Sequence, residues 1–186
     1  MPKQVLLIHP WGGKHPQHWL SWLEEQLREK RFETFYPDLP NPDTPNIQEW
    51  LGELKKVPVT FNESLVLVGH SLGCPTILHI LQNLKEGEKV GLVVLVAGFA
   101  RDLGIPEVKN FVEKSFDWEK IHSKANKFVV IFSDNDPYIP VPESDFLAKQ
   151  LKITPVLESQ ADHIRAPDFG PYPRVLKLIL EESNEK

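Results

Sequence analysis

The nine residues from Leu65 to Gly73, LVLVGHSLG, place a serine where it could act as a nucleophile. Four apolar residues precede a G-H-S-L-G pattern, in which the serine lies on a sharp turn between a buried strand and a helix. Gly69 and Gly73 remove side chains that would collide with the strand and helix beside the strained turn. The pattern therefore predicts covalent acyl chemistry at Ser71.

The helix predicted after Ser71 would assist this chemistry electrostatically. Its first N–H groups have no partner inside the helix, and they carry the positive end of the helix dipole. We therefore predict that the N–H of Leu72 donates a hydrogen bond to the oxyanion that develops when Ser71 attacks a carbonyl group. Pro75 would fall in the first helical turn, where its missing N–H costs little.

A serine nucleophile needs a base, and the base needs an acid that orients it. Downstream of Ser71 the chain carries S-D-N-D-P-Y-I-P, and then its last histidine, His163. The order serine, acid, histidine is that of α/β-hydrolases. Asp134, Asp136 and Asp162 are all within reach by sequence, but Asp162 adjoins His163, a spacing that usually points side chains apart. Since Asp134 is expected to cap a turn, Asp136 is the preferred acid.

The other histidines fit the role of base less well. His9 ends the first apolar run and His70 lies within the serine turn, so both are expected near the site, but neither follows the acid in sequence. His79 is expected to be packed or hydrogen-bonded within a helix. His122 lies on a charged stretch and is expected to be exposed.

Metal chemistry is weakly supported by the sequence. His15 and His18 have a spacing of three residues, but no Cys, Asp or Glu near them offers a third ligand. No metal and no cofactor is therefore predicted.

Strand-like and helix-like patterns alternate along the whole chain. Helical periodicity follows several of the apolar runs. Trp19, Leu23 and Leu27 recur at intervals of four residues, and the series Ile47, Trp50, Leu51 and Leu54 has the spacing of one helix face. The strand-like runs are Val5 to His9, Phe32 to Tyr36, Leu65 to Gly69, Val90 to Val96, Phe128 to Phe132 and Thr154 to Leu157. This alternation predicts an α/β fold with a mostly parallel sheet of about six strands and helices on both faces.

In such folds the site forms at the carboxyl ends of the strands. His9, Ser71, Asp136 and His163 are all predicted to lie there. About 30 residues, including a predicted helical stretch around Val108 to Phe116, separate the strands near Val96 and Phe128. These are too few for a separate lid domain. We therefore expect an open, shallow pocket, partly walled by the segment Gly98 to Asn126 and by the proline-rich loop Pro37 to Pro45. The loop itself is more simply interpreted as a well-ordered connection.

Length and composition fit a single domain over residues 1–186. The net charge of −5 is dispersed, so nucleic acid is not expected as a partner. The segment Ser64 to Leu84 has no charged residue, but its glycines and Pro75 favour a buried strand and helix over a membrane span. One cysteine, Cys74, and the short apolar run near the N-terminus favour a reducing, cytoplasmic location.

Several further motifs resemble one family of small serine hydrolases, the YdeN and retinoblastoma-binding-protein-9 type, along nearly the whole chain. The motifs are V-L-L-I-H-P from Val5, H-W at His18, L-P-N-P from Leu39, G-H-S-L-G-C-P from Gly69, V-A-G-F-A from Val96 and D-x-x-I-P from Asp136. The resemblance implies a compact, lid-less α/β-hydrolase fold, a triad of Ser71, Asp136 and His163, and an esterase-like activity on a small acyl substrate.

The chain departs from the family pattern in two places. Many members have H-G or P-G after the first strand, whereas this chain has His9-Pro10-Trp11. Because proline has no N–H, the second oxyanion donor must come from Trp11 or from Gly12-Gly13. In relatives, glycines often precede the catalytic histidine, but here Ala161-Asp162 places a negative charge beside it.

The sequence leaves three functional hypotheses open. The first is an esterase that uses Ser71, His163 and Asp136 through an acyl-enzyme, with Trp11 and Leu72 at the substrate. The second is an amide-cleaving or acyl-transfer enzyme with the same triad. The third is a catalytically weak protein-binding module on the same fold. The physiological substrate, acyl-chain length and oligomeric state are not predicted.

Overall fold

The structure, a computed structural model, describes residues 3–16, 18–165 and 170–184. Six strands form one sheet in which every pair is parallel, in the order β2-β1-β3-β4-β5-β6. The strands are β1 (Gln4–Ile8), β2 (Glu33–Phe35), β3 (Leu65–His70), β4 (Val90–Val96), β5 (Ala125–Ser133) and β6 (Val156–Glu158). The predicted fold, a mostly parallel sheet of about six strands with helices, is confirmed.

Helices connect the strands and cover both faces of the sheet. They are α1 (His18–Glu29), α2 (Ile47–Leu54), α3 (Gly73–Asn83), α4 (Trp118–Ser123), α5 (Val141–Gln150) and α6 (Pro173–Asn184), with a 3-10 helix at Pro106–Phe111. The central strands β3 and β4 are buried along their whole length, which explains why they consist of nearly continuous apolar residues. The uncharged segment from Ser64 to Leu84 therefore contains β3 and α3. Among the described residues, none of the helices has both the length and the apolar composition that a membrane span requires.

Two hydrophobic cores lie on opposite faces of the sheet. One includes Trp50 of α2, Leu78 of α3 and Leu147 of α5. The other includes Trp19 of α1 and Ile179 of α6. Because strand side chains alternate between the two faces, Leu67 belongs to the first core and its neighbour Val68 to the second.

Two details differ from the sequence predictions. The helical stretch expected around Val108 to Phe116 is instead the 3-10 helix Pro106–Phe111, and α4 begins only at Trp118. The helix α5 was not predicted. Its inward positions include Ser144 and Ala148, so its sequence lacks a clear apolar stripe.

The sheet brings the predicted site residues to one edge. Parallel strands all end at the same side, and the chain continues from β1 into His9, from β3 into Ser71, from β5 towards Asp136 and from β6 towards His163. The predicted location of these residues at the carboxyl ends of the strands is confirmed.

Candidate active site

Ser71 lies on the turn between β3 and α3 in a strained conformation. Its φ is +52°, in the left-handed region that residues with a side chain rarely adopt. Neighbouring backbone holds it there, because Ser71 N donates to Val96 O at 2.9 Å and Cys74 N donates to Ser71 O at 2.9 Å. Such strain persists only where the surrounding structure fixes it, and it is concentrated at functional sites.

Two glycines allow this turn to pack tightly. A Cβ atom on Gly69 would lie 2.7 Å from the backbone of Gly73, and one on Gly73 would overlap the carbonyl oxygen of Ile8 in β1. The expectation that side chains here would collide with the helix and a neighbouring strand is confirmed. The close approach brings the first turn of α3, with the N–H of Leu72, against the end of β1.

An acid and a histidine are paired near Ser71. His163 Nδ1 lies 2.7 Å from Asp136 Oδ2, and their side chains are only 7% and 2% exposed. The other carboxylate oxygen, Asp136 Oδ1, accepts the N–H groups of Tyr138 and Ile139 at 2.8 and 3.0 Å. With Nδ1–H donated to the carboxylate, the imidazole retains Nε2 as a site that can accept a proton.

The other two candidate acids, Asp134 and Asp162, hydrogen-bond to groups other than the imidazole of His163. Asp134 accepts hydrogen bonds from the backbone N–H of Gln160 at 2.7 Å and the hydroxyl of Ser159 at 2.9 Å, and these bonds lower the pKa of Asp134. Asp162 accepts from Asn135 Nδ2 at 2.8 Å. Of the three carboxylates only Asp136 is hydrogen-bonded to the imidazole of His163.

The loop that carries His163 is held by two residues whose role the sequence did not predict. His70 Nε2 donates to His163 O at 2.9 Å, and Trp19 Nε1 donates to Ile164 O at 2.9 Å. Ile164 is buried and has φ +50°, which is costly for a β-branched residue. Trp19 was predicted only as an apolar helix position, because periodicity gives no information about where an indole N–H points.

The turn that follows β1 lines the same cavity as Ser71. Gly12 N donates to Pro42 O at 2.8 Å, and Gly13 N donates to Pro10 O at 3.0 Å. Among the described contacts, Trp11 is the only one of these three residues whose backbone N–H is not used in a hydrogen bond. Of the candidates for the second oxyanion donor, Trp11 is therefore the one whose backbone N–H is available to donate a hydrogen bond.

The proline-rich loop holds this turn in place. Trp11 Nε1 donates to Asp43 O at 2.9 Å, and Leu39 N donates to His9 Nε2 at 3.1 Å. The other ring nitrogen of His9 donates to Pro10 O at 2.8 Å, so both nitrogens are used by a neutral imidazole. Burial lowers the pKa of His9, which keeps this neutral form.

Ser71 and His163 open onto a cavity of about 370 Å³. Its wall is mostly apolar, and its described lining residues are Pro10, Trp11, Gly12, Ser71, Leu72, Phe99, Leu103, Ile105, Val108, Tyr138, Ile139, His163 and Arg165. The predicted wall from the segment after β4 is confirmed by Phe99, Leu103, Ile105 and Val108. The proline-rich loop is absent from the described lining, so the expectation that it walls the pocket is wrong; its contacts with Trp11 place it behind the turn.

Of the remaining histidines, His79 and His15 have structural partners. His79 Nε2 donates to Phe111 O at 2.8 Å, as expected for a hydrogen-bonded helix residue, and His122 is exposed on α4. His15 Nε2 lies 2.9 Å from Glu24 Oε2, while the side chain of His18 lies outside the described part of the structure. The described residues contain no cluster of three metal-ligating side chains.

The parallel sheet, the strained serine turn and a buried Asp–His pair at the carboxyl edge together define an α/β-hydrolase fold. A sequence profile of the family described as serine hydrolase matches residues 5–181. The chain belongs to this serine hydrolase family.

Individual relatives agree with this assignment. The protein YdeN of Bacillus subtilis (strain 168) is 36% identical over 152 residues, covering 81% of this chain and 80% of YdeN. The crystal structure of the B. subtilis ydeN gene product superimposes with a TM-score of 0.93 at 32% identity, covering 98% of this chain and 99% of the other. Serine hydrolase RBBP9 of Rattus norvegicus is 24% identical over 182 residues, covering 96% of this chain and 95% of RBBP9. The resemblance inferred from the motifs is confirmed.

Proposed function

We propose that this serine hydrolase cleaves small esters through a triad of Ser71, His163 and Asp136. The observation that carries the proposal is the buried 2.7 Å contact between His163 Nδ1 and Asp136 Oδ2, beside a serine in a strained turn on the same cavity. A binding surface does not require a nucleophile, a base and an orienting acid at one edge of the sheet. Their combination favours turnover over a purely binding role.

The proposed reaction has two steps. His163 Nε2 takes the proton of Ser71 Oγ as that oxygen attacks the ester carbonyl, and the imidazolium then gives this proton to the leaving alcohol as the acyl-enzyme forms. Water repeats the sequence, releasing the acid and regenerating Ser71. Asp136 fixes the imidazole tautomer and stabilises the imidazolium, and its own bonds to Tyr138 N and Ile139 N hold the carboxylate in place.

The oxyanion would be stabilised by the N–H groups of Leu72 and Trp11. Leu72 precedes α3, where the helix dipole adds to the hydrogen bond. The N–H of Trp11 is held by the contacts of its turn with the proline-rich loop. Loss of one such donor typically costs about 100- to 1000-fold in kcat.

A small ester substrate is supported by the cavity. Its volume of about 370 Å³ lies at the lower end of small-molecule sites, and its apolar wall suits a short acyl or aryl group. Amide cleavage and acyl transfer would use the same residues, and a panel of matched esters and amides separates them.

The proposal is tested by labelling with a fluorophosphonate probe, which reacts with activated serines. We expect one adduct by intact-mass analysis, located in the peptide that contains Ser71, and loss of both labelling and ester hydrolysis in Ser71→Ala. Ser144→Ala is a matched control, since Ser144 is also buried but lies on α5, outside the cavity lining. Failure of folded wild-type protein to label, or labelling that survives Ser71→Ala, would contradict the proposal and favour the binding-module hypothesis.

A further inference from the structure

One permanently charged side chain lines the cavity in the described part of the chain, and it is Arg165. Its guanidinium Nη2 donates to the hydroxyl of Tyr138 at 3.0 Å, and its Cζ lies 5.1 Å from the centroid of the Tyr138 ring. The Tyr138 ring in turn lies 5.1 Å from the imidazole of His163, edge to face. The cation is therefore held one aromatic ring away from the proposed base.

The charge of Arg165 is not neutralised by any carboxylate among the described residues. The carboxylate proposed as the orienting acid, Asp136, is bound to His163 and to two backbone N–H groups. Arg101 makes a useful contrast, because its guanidinium also lies over an aromatic ring, 4.2 Å from Phe146, but is paired with Glu143 at 2.7 Å. Of these two ring-stacked arginines, only the one in the cavity lacks an anion.

The two side chains also have hydrogen-bond donors to spare. A guanidinium has five N–H donors in a planar fork that fits a carboxylate or phosphate, and one of them is used by Tyr138. The hydroxyl of Tyr138 accepts that bond, so its own proton remains able to donate. Tyr138 is 46% exposed, which leaves this pair accessible from the cavity mouth.

We propose that Arg165 and Tyr138 form an anion subsite, and that the preferred substrates are small esters bearing a carboxylate or phosphate a few bonds from the scissile carbonyl. This inference rests on the proposed ester hydrolysis at Ser71. The apolar wall of Phe99, Leu103, Ile105 and Val108 would hold the uncharged part of the substrate, and the guanidinium would hold its anion. Arg165 thus acts as a specificity-determining residue.

The test compares esters that differ only in charge. On the leaving-group side these are 4-acetoxybenzamide, 4-acetoxybenzoate and 4-acetoxyphenyl phosphate; on the acyl side they are phenyl pentanoate and monophenyl glutarate. These arms also distinguish carboxylate from phosphate and one side of the ester from the other. We expect wild type to prefer at least one anionic ester over its neutral partner in kcat/KM, with the preference falling as salt is raised.

Arg165→Gln should lower kcat/KM for the preferred anionic ester about five- to tenfold and leave the neutral esters nearly unchanged, because a charge-assisted contact is lost only with the anion. Arg165→Lys should retain part of the preference, and Tyr138→Phe should weaken it. Arg101→Gln is the matched control and should change neither. Equal loss for neutral and anionic esters in Arg165→Gln, or no anionic preference in wild type, would overturn the subsite.

A binding measurement separates this proposal from the proposed hydrolysis. Benzoate and benzamide are titrated into Ser71→Ala and into Ser71→Ala/Arg165→Gln, and binding is followed by NMR. Stronger binding of benzoate than of benzamide, lost with Arg165→Gln, supports the subsite even if no ester is hydrolysed. Equal binding of the two ligands to Ser71→Ala would overturn the subsite while leaving turnover by Ser71 intact.

Discussion

Hydrogen-bond partners distinguish the three aspartates near the proposed base. Asp136 uses one oxygen for His163 and the other for the backbone of its own turn. Asp134 binds the segment Ser159 to Gln160, and Asp162 binds Asn135. All three carboxylates are near one another, but only one is placed to fix an imidazole tautomer.

Asp136→Asn is expected to lower kcat by up to about 10⁴-fold, because an amide can hydrogen-bond to the imidazole in a way that favours the wrong tautomer. Asp134→Asn and Asp162→Asn should lose far less, since neither side chain contacts the imidazole. Steady-state kinetics on one neutral ester, with circular dichroism to confirm folding, checks the three variants side by side. A large loss in Asp134→Asn with Asp136→Asn near wild type would reassign the acid.

At the scale of elements, two packing arrangements position the chemistry. The start of α3 is pressed against β1 through Gly73, which sets the direction of the Leu72 N–H. The loops after β5 and β6 are joined to each other by the bonds of Asp134 and Asn135, so acid and histidine are positioned as one unit. Each arrangement depends on residues from two separate elements.

A pair of glycine substitutions tests the first arrangement. Gly73→Ala should destabilise the protein by about 1–3 kcal/mol and reduce turnover, because its new Cβ would overlap the backbone of Ile8 and push α3 from the strand. Gly52→Ala, in the exposed interior of α2 with open space around it, should instead stabilise by up to about 1 kcal/mol. Urea unfolding measures both changes in free energy. An unchanged free energy of unfolding in Gly73→Ala would show that the turn at Ser71 can relax to accept the new Cβ.

At the scale of the whole molecule, the parallel sheet gathers residues that are far apart in sequence into one edge. Between β4 and β5, the described chain forms the 3-10 helix Pro106–Phe111 and the short helix α4, and this segment provides one wall of the cavity. Ser71 is buried, but it lines this cavity, and the chain between β4 and β5 forms no separate domain over it. Substrate should therefore reach it without a large opening motion.

Short-chain, water-soluble esters are expected to be hydrolysed without an oil–water interface. Interfacial activation requires a mobile cover over the nucleophile, and the segment between β4 and β5 is instead packed into the core through Val108 and Phe111. Initial rates are measured for one ester series across the solubility limit of its longer members. A sharp rise in rate above that limit would show that this segment opens as a lid.

The sequence by itself determined the serine turn, the alternation of strands and helices, and the order in which Ser71, the proposed acid and His163 follow one another. These are local properties: a glycine pattern, a hydrophobic period and a spacing do not require knowledge of distant contacts. The family resemblance followed from the same local motifs. The missed helix α5 marks the limit of this reasoning, because its burial depends on what packs over it.

Only the tertiary structure decided how each side chain is used. His70 and Trp19 anchor the loop of His163 from 93 and 145 residues away, and the proline-rich loop supports Trp11 from behind the pocket. The position of Arg165 beside Tyr138, 27 residues apart, likewise follows from the meeting of two loops at the sheet edge. Hydrogen bonds join specific atoms across such sequence separations. A hydrophobic period in the sequence contains no information about which acceptor a given donor will contact.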